Sequence, residues 1–457
     1  MQTKQRSESM SMPKTCPSIS SLRTPARALL AAIGISSLLN LPATAQSPPF
    51  NDAHWSSLGS GVDGLVMALA VSGGNVYVGG QFTTADSIAA NRIAMWDGTN
   101  WSALGSGMDF ITNSGVPSVN ALAVLGNSLY AGGYFEAADG MPANNIAKWD
   151  GTNWSALGSG VEGPVDALAV LDGNLYIGGN SMTAGDAHGI AKWNGTNWSA
   201  LGSGVSGGVY ALAVSGKDLY AAGGFNMAGG VAATNVAKWN GTSWSALGLG
   251  VPHGFLVYAL AVSGRDVYVG GYIGGSVPKL ARWDGTNWSS VGGGTGGGTY
   301  NIVQALVVSG SDLYVGGDFT TAGGIPASNI AKWDGTRWSA LGSGTPGGVS
   351  SIVRTLAVSG SDLYAGGGFM MAGGQVSPHV AKAIVYSPIL AIEPDGSGGY
   401  FIRFTGAPGD TYSLQRASSL AGPWTTSASQ TIPASGYVEF QDLFPPPGQG
   451  FYRSVQP

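Results

Sequence analysis

A five-residue phrase, Trp-Ser-(Ala/Ser)-(Leu/Val)-Gly, recurs seven times and constrains the fold of this chain more than any other feature. Its copies start 44 to 53 residues apart, at Trp55, Trp101, Trp154, Trp198, Trp244, Trp288 and Trp338. A second phrase, (Leu/Val)-Tyr before small residues and Gly, places its tyrosine at Tyr77, Tyr130, Tyr176, Tyr220, Tyr268, Tyr314 and Tyr364. A period of about 40 to 50 residues built from short strand-like runs is typical of β-propeller blades, since helical repeats would show a 3.6-residue apolar stripe.

Each repeat predicts four antiparallel strands joined by short turns. In the third repeat the expected strands cover residues 165–170, 175–179, 190–193 and 198–201. The first of these runs is apolar throughout, which suits a strand that is covered on both faces. The turns within the repeat contain Asp-Gly, Asn-Gly or Ser-Gly pairs, which tolerate the positive φ angles of a tight hairpin.

The two ends of the repeat region predict how the repeats close. The region begins with a fourth-strand phrase at residues 55–58 that has no preceding three strands. It ends with three strands that lack a fourth, because Ala383-Ile384-Val385-Tyr386 stands where the paired tryptophans would follow. Pairing the two fragments would remove both unpaired sheet edges. We therefore expect an all-β chain with a seven-bladed β-propeller over residues 55–386, closed by its N-terminal strand.

The repeat also resembles known families. The Gly-Gly pair after the second strand and the aromatic pair around Asp-Gly-Thr-Asn resemble kelch-type propellers. The segment Asn-Ile-Ala-Lys-Trp-Asp-Gly-Thr-Asn-Trp-Ser-Ala-Leu-Gly-Ser-Gly-Val is similar to repeats of the fungal cortical polarity-marker family and of uncharacterised secreted bacterial proteins. The resemblance implies a propeller fold. Trp149 and Trp154 are closer in sequence than the corresponding kelch aromatics, so the partners of kelch proteins are not transferred to this chain.

Residues 1–45 have the features of a signal peptide, and residues 46–54 those of a short linker. An apolar stretch at 28–41 is followed by a small-residue cleavage site, Ala43-Thr44-Ala45. Five basic residues precede the apolar stretch: Lys4, Arg6, Lys14, Arg23 and Arg27. We expect an exported protein that is extracellular, on the cell surface or periplasmic. A single uncleaved N-terminal anchor is the alternative.

Cleavage after Ala45 excludes several functions. The loss of five basic side chains and one acidic side chain changes the net charge from −5 to −9, which disfavours nucleic acid as a partner. Cys16 is the only cysteine, so disulfides, cysteine metal sites and cysteine nucleophiles are excluded, as is a copper enzyme of the galactose oxidase type with its Cys–Tyr crosslink. No later segment has 18 consecutive apolar residues, so we expect no membrane span in the mature chain.

A different unit follows the repeats. Residues 388–457 predict a small β-sandwich, with strands at 389–393, 400–405, 411–416, 438–442 and 451–455 separated by Gly/Pro turns. Trp424 is the predicted core aromatic. The unit resembles fibronectin type III and immunoglobulin-like modules, which implies a role as a spacer or in surface attachment.

The repeats offer few groups for catalysis, and we expect no enzyme activity and no cofactor. Only 10% of the residues are charged, and the four histidines occupy unrelated repeat positions: His54, His188, His253 and His379. Glu136 and Glu162, on neighbouring repeats, leave a paired-carboxylate hydrolase as an alternative. The Asp or Asn before Gly-Thr could suggest calcium, but the two residue types exchange between repeats without a compensating ligand, as a tight turn allows.

The tryptophan pairs have two interpretations. The turn between Trp149 and Trp154 places the two indoles on one face of a hairpin, where they can pack between blades or stack on a sugar ring, as in a carbohydrate-binding lectin. All seven repeats contain the fourth-strand tryptophan, but no set of polar partners repeats with it. We therefore favour packing, and a lectin is the alternative.

The connections between the second and third strands, and between successive repeats, vary in length and composition, whereas the tight hairpins hardly vary. Variable loops on a rigid scaffold commonly determine binding specificity. We expect a non-catalytic, monomeric binding or adhesion protein that presents these connections to a protein or glycan partner at the cell surface. The candidate ligand face consists of Phe110, Asn113, Glu136, Glu162, His188, His253, Phe255, Tyr300 and Arg354.

Overall fold

The computed structural model describes residues 55–112, 115–251, 255–273, 279–298, 300–341, 349–385, 389–394, 399–405, 411–419, 423–431, 437–442 and 451–455. The predicted signal peptide and linker lie outside these residues. Within the described ranges the regular secondary structure consists of β-strands, with no helix. The prediction of an all-β chain is therefore confirmed.

Seven antiparallel sheets of four strands each make up the described part of the repeat region. We number the sheets along the chain and the strands from first to fourth across each sheet. Sheet 1 consists of Val66–Ser72, Asn75–Gly80, Ile93–Trp96 and Trp101–Ala103. Sheet 2 consists of Ser118–Leu125, Ser128–Tyr134, Ile146–Trp149 and Trp154–Ala156. Sheet 3 consists of Ala167–Leu171, Asn174–Ala184, Ala187–Trp193 and Trp198–Ala200. Sheet 4 consists of Gly208–Ser215, Asp218–Gly224, Val236–Trp239 and Trp244–Ala246. Sheet 5 consists of Phe255–Ser263, Asp266–Ile273, Leu280–Trp283 and Trp288–Ser290. Sheet 6 consists of Ile302–Ser309, Asp312–Asp318, Ile330–Trp333 and Trp338–Ala340.

Sheet 7 combines strands from both ends of the repeat region. Its first three strands are Val353–Ser359, Asp362–Gly367 and Val380–Ile384, and its fourth is Trp55–Ser57. The fourth strand pairs antiparallel with the third, so that Trp55 lies opposite Ala383. The first strands of successive sheets contact one another, and that of sheet 7 contacts that of sheet 1. The contacts between first strands therefore run through the seven sheets in cyclic order.

In six of the seven sheets, close packing against the neighbouring sheet explains the glycine near the end of the second strand; sheet 4 has Ala222 at this position. A Cβ atom on Gly79 of sheet 1 would lie 2.5 Å from Val119 Cγ1 of sheet 2, closer than any ordinary contact. The same approach recurs between Gly366 of sheet 7 and Val66 of sheet 1, at 2.4 Å. Buried apolar clusters fill the spaces between adjacent sheets. A larger residue at the glycine position would push two sheets apart.

The connections contain short hairpins that the sequence did not predict. Two-residue strands pair within the link between the second and third strands of a sheet: Thr84–Ala85 with Ile88–Ala89, Ala137–Ala138 with Met141–Pro142, Met227–Ala228 with Val231–Ala232, Thr321–Ala322 with Ile325–Pro326, and Met371–Ala372 with Gln375–Val376. In sheet 3 the second and third strands extend instead, so that Asn174–Ala184 replaces the shorter strand predicted at 175–179.

The C-terminal residues form two three-stranded antiparallel sheets. One orders Ile389–Pro394, Tyr400–Thr405 and Tyr437–Asp442, and the other places Thr411–Ala417 between Thr425–Thr431 and Phe451–Val455. A shared core draws on both sheets, with the rings of Phe404 and Tyr412 4.5 Å apart. The strand Thr425–Thr431 was not predicted. Trp424, the predicted core aromatic, is only half-buried.

Candidate ligand-binding face

The tryptophan pairs connect neighbouring sheets. In each described pair the ring centroids lie 5.0 to 5.5 Å apart. The fourth-strand tryptophan donates its Nε1–H to a backbone carbonyl just after the fourth strand of the preceding sheet, as Trp154 does to Leu104 at 2.8 Å. The remaining six bonds join Trp101 to Leu58, Trp198 to Leu157, Trp244 to Leu201, Trp288 to Leu247, Trp338 to Gly292 and Trp55 to Leu341. These indoles are engaged in packing and hydrogen bonding between sheets.

The Asp-Gly-Thr and Asn-Gly-Thr segments stabilise their own turns. Asp97 Oδ1 accepts hydrogen bonds from the backbone N–H groups of Thr99 and Asn100, at 2.7 and 2.6 Å. Asn194 makes the same two bonds with its side-chain oxygen. Because a neutral amide replaces the carboxylate with the same geometry, the position serves the turn. The described residues contain no group of three or more His, Cys, Asp or Glu side chains placed to hold a metal ion.

The variable connections meet at one end of the sheets. The segment entering sheet 2, Met108–Asp109, pairs with Ala137–Ala138, which lies between the second and third strands of that sheet. Thr295–Gly296 pairs in the same way with Thr321–Ala322, and single bridges join the corresponding segments of sheets 1, 3, 4 and 7. We call this end, formed by the connections, the connection face. The tight Asp-Gly and Asn-Gly hairpins lie at the other end, the hairpin face.

Exposed apolar side chains are concentrated on the connection face. Of thirteen large apolar residues exposed in the described part of the chain, only Ile384 lies at the hairpin face. Ile111, Tyr300 and Val376 are 60%, 66% and 70% exposed. The other nine are Val116, Tyr134, Met141, Met227, Val231, Leu249, Tyr272, Ile325 and Met370. Clustering of this kind on one face of a soluble protein is typical of an interaction surface.

Phe110 and Glu136 come together, but as parts of the scaffold. Phe110 is 8% exposed, and its ring packs edge-on against Tyr134 at 4.9 Å. The Glu136 carboxylate accepts hydrogen bonds from Thr112 Oγ1 at 2.8 Å and from the backbone N–H groups of Ile111 and Thr112. The bond from the Thr112 hydroxyl, assisted by the two N–H groups, lowers the pKa of Glu136. Phe110 therefore supports the connection from inside, and Glu136 holds it in shape.

Glu162 occupies a position whose side chain caps the neighbouring connection. Its carboxylate accepts a hydrogen bond from Thr183 Oγ1 at 3.2 Å. In sheet 4 the corresponding residue, Ser206, accepts from the backbone N–H groups of Asn226 and Met227 at 3.0 Å. Ser350 makes the equivalent bonds in sheet 7. A serine performs the same task in two sheets, so the position does not require a carboxylate.

The other predicted residues are distributed unevenly. His188 is exposed at the start of the third strand of sheet 3. Tyr300 is exposed on a connection, and its backbone N–H donates to Asp318 Oδ2 at 2.6 Å. Phe255 begins the first strand of sheet 5. Asn113 and His253 lie outside the described residues. Among the described members of the predicted set, Arg354 lines a cavity at the centre of the seven sheets.

A central cavity of about 250 Å³ is lined by all seven first strands. The lining ranges are 67–69, 120–122, 167–168, 211–212, 258–260, 304–306 and 354–356. Six first strands carry a β-bulge near the connection face, which leaves one residue per strand without a partner in the second strand. With Asp166, which holds the same place just before the first strand of sheet 3, these bulge residues are Met67, Asn120, Asp166, Tyr210, Tyr258, Gln304 and Arg354.

Two pairs of neighbouring bulge residues are in contact, Asn120 with Asp166 and Tyr210 with Tyr258. Asn120 Nδ2 donates to Asp166 Oδ1 at 3.2 Å, and the backbone N–H of Asn180 donates to Asp166 Oδ2 at 3.1 Å. Burial raises the pKa of Asp166, although these two hydrogen bonds oppose the shift. The rings of Tyr210 and Tyr258 lie 5.5 Å apart, and burial raises the pKa of both phenols.

Sequence reasoning identified Arg354 but missed the other six bulge residues. A signal was present, because the repeats keep Val before this position and Ala or Thr with Leu after it. The position itself holds Met, Asn, Asp, Tyr, Tyr, Gln and Arg. Where variation is confined to one position of a regular repeat, the packing of the sheets does not determine which side chain stands at that position.

No protein-family model matches this chain, and no curated protein matches it. Among solved structures, the chain is similar to one titled "Structure of YjhT", with a TM-score of 0.37 and 14% sequence identity, over 60% of this chain and 97% of that one. The described residues contain no helix with the length and hydropathy needed to cross a membrane.

Proposed function

We propose that the protein is an exported, non-catalytic binding protein whose seven sheets are the blades of a closed β-propeller. The cyclic contacts between first strands and the pairing of Trp55 with Ala383 support the closed arrangement. The connection face would bind a protein or glycan partner at the cell surface. The signal-peptide features of residues 1–45 support export.

One observation carries the proposed function: twelve of the thirteen exposed large apolar residues in the described ranges lie on the connection face, and Ile384 lies at the hairpin face. Hydration of this surface is unfavourable, and covering it by a partner would offset that cost. The hydrolase alternative is weaker because Glu136 and Glu162 are hydrogen-bonded within their own connections. The lectin alternative based on tryptophan pairs is weaker because the indoles join the sheets.

A cell-binding assay with matched variants tests this proposal. The labelled protein would be titrated onto the cells that produce it, and onto a glycan array. Ile111→Ser, Tyr300→Ser and Val376→Ser combined in one variant should weaken binding at least about tenfold, because hot-spot residues each contribute more than about 1 kcal/mol. Ile384→Ser is the control, since it removes an apolar side chain that is 46% exposed from the hairpin face. Equal binding by both variants would refute the proposal.

A further inference from the structure

The guanidinium-bearing Arg354 lines the central cavity, and Asp166, next to the lining residue Ala167, carries the opposite charge without forming an ion pair with it. Arg354 belongs to sheet 7 and Asp166 precedes the first strand of sheet 3, so the two sheets are not neighbours in the cyclic order. The ion pairs found among the described residues include neither side chain. Asp166 is stabilised by the donors Asn120 and Asn180. Among the described residues, no acceptor forms a hydrogen bond or an ion pair with the Nε of Arg354.

Arg354 is a partly buried cation for which the described part of the chain provides no ion-pair partner. Its Nε–H is buried and makes no hydrogen bond, and burial lowers the pKa of the guanidinium. The bulge residues on either side of it, Gln304 of sheet 6 and Met67 of sheet 1, carry no charge. Removing a charge from water without pairing it is costly. By contrast, Arg282, whose Nε is also buried, pairs with Asp266 at 2.9 Å.

We propose that the central cavity binds a small hydroxylated monocarboxylate, whose carboxylate pairs with Arg354. The planar guanidinium fork suits a carboxylate because it can donate two parallel hydrogen bonds. A single negative charge is favoured over the double charge of a phosphate ester, because Asp166 lies in the same group of bulge residues and repels additional negative charge.

The other bulge residues suit hydroxyl groups and a compact carbon skeleton. The amides of Asn120 and Gln304 line the cavity and supply donors and acceptors. Tyr258 also lines it, backed by the ring of Tyr210, and offers a flat apolar surface. The volume of about 250 Å³ lies just below the ~300 to 1,000 Å³ typical of drug-sized ligands. A ligand of monosaccharide size fits these properties.

Calorimetric titration of the full chain with glucuronate tests the inference, with glucose as the uncharged counterpart. We expect saturable binding of one glucuronate per chain and at least about tenfold weaker binding of glucose. Arg354→Gln should weaken glucuronate binding about 10- to 100-fold. Arg265→Gln is the matched control because Arg265 is exposed in a hairpin at the opposite end of the sheets, and it should leave binding unchanged.

Met67→Glu provides a second variant in case Arg354→Gln does not fold. It places a carboxylate beside the guanidinium, where it should occupy the cation and abolish glucuronate binding. Absence of glucuronate binding up to about 10 mM, or equal losses in the Arg354→Gln and Arg265→Gln variants, would overturn the inference. The serine variants of the connection face leave the cavity intact, so the partner surface and the cavity are tested separately.

Discussion

Trp55 provides the sharpest test of how sheet 7 is completed. Its side chain is 3% exposed, packs in the core of sheet 7, and donates its Nε1–H to the Leu341 carbonyl at 3.1 Å. Trp55→Ala removes the indole and this bond, and substitutions of this kind cost about 3 to 5 kcal/mol. Domains are stable by only about 5 to 15 kcal/mol, so we expect a loss of about a fifth or more of the free energy of unfolding.

Guanidinium unfolding followed by circular dichroism would measure this loss. Trp55→Phe keeps most of the apolar surface and removes the hydrogen bond, so it should cost about 1 kcal/mol plus the small difference in packing. Trp338→Ala is the matched control, since Trp338 makes the same type of bond, to Gly292 at 2.9 Å, but is only half-buried. A cost below about 1 kcal/mol for Trp55→Ala, with an unchanged denaturant slope, would show that the N-terminal strand is dispensable and refute the reasoning.

Three further predictions follow from the packing and charges. Gly79→Ala should lower the free energy of unfolding by about 1 to 3 kcal/mol in a denaturant titration, because its Cβ would lie 2.5 Å from Val119 Cγ1; an unchanged midpoint would contradict the close approach. Burial raises the pKa of Tyr364, so the unfolded chain loses this proton first and stability should fall as the pH rises above about 10. Tyr364→Phe should make that slope shallower in unfolding curves between pH 9 and about 11, and an identical slope would argue against it. Arg354→Met should raise the melting temperature in calorimetry, since it removes an unpaired, partly buried charge; a lower melting temperature would indicate a stabilising partner.

The sequence predicted those elements whose residue types favour one local backbone conformation. Asp-Gly and Asn-Gly pairs specify tight hairpins, and the described strands on either side of them lie close to the predicted positions. In the third repeat, the fourth strand was expected at 198–201 and is Trp198–Ala200. The second and third strands were predicted too short, because Asn180 and Ser181 do not show the alternation of a strand.

The candidate site was less predictable for physical reasons. A bulge adds one residue between Val66 and Ala68 without interrupting the apolar run, so the pattern is the same as that of a regular strand. Phe110 was expected at the surface because it lies in a variable connection, yet packing against Tyr134 buries it. The roles of Glu136 and Glu162 depended on hydrogen bonds to separate segments of the chain, which spacing alone does not encode.

The hydrogen bonds that the tryptophans donate between sheets imply an order in which these contacts form during folding. Six of them join residues 41 to 50 positions apart, so each of these bonds can form soon after its tryptophan has been synthesised. The seventh joins Trp55 to Leu341 across 286 positions, and the longer loop costs about 1.5 kcal/mol more in chain entropy. Leu58, just after the first strand, is bonded early by Trp101, whereas the indole of Trp55 is bonded last. A chain that stops before sheet 7 would leave the strand Trp55–Ser57 without its partner strand Val380–Ile384.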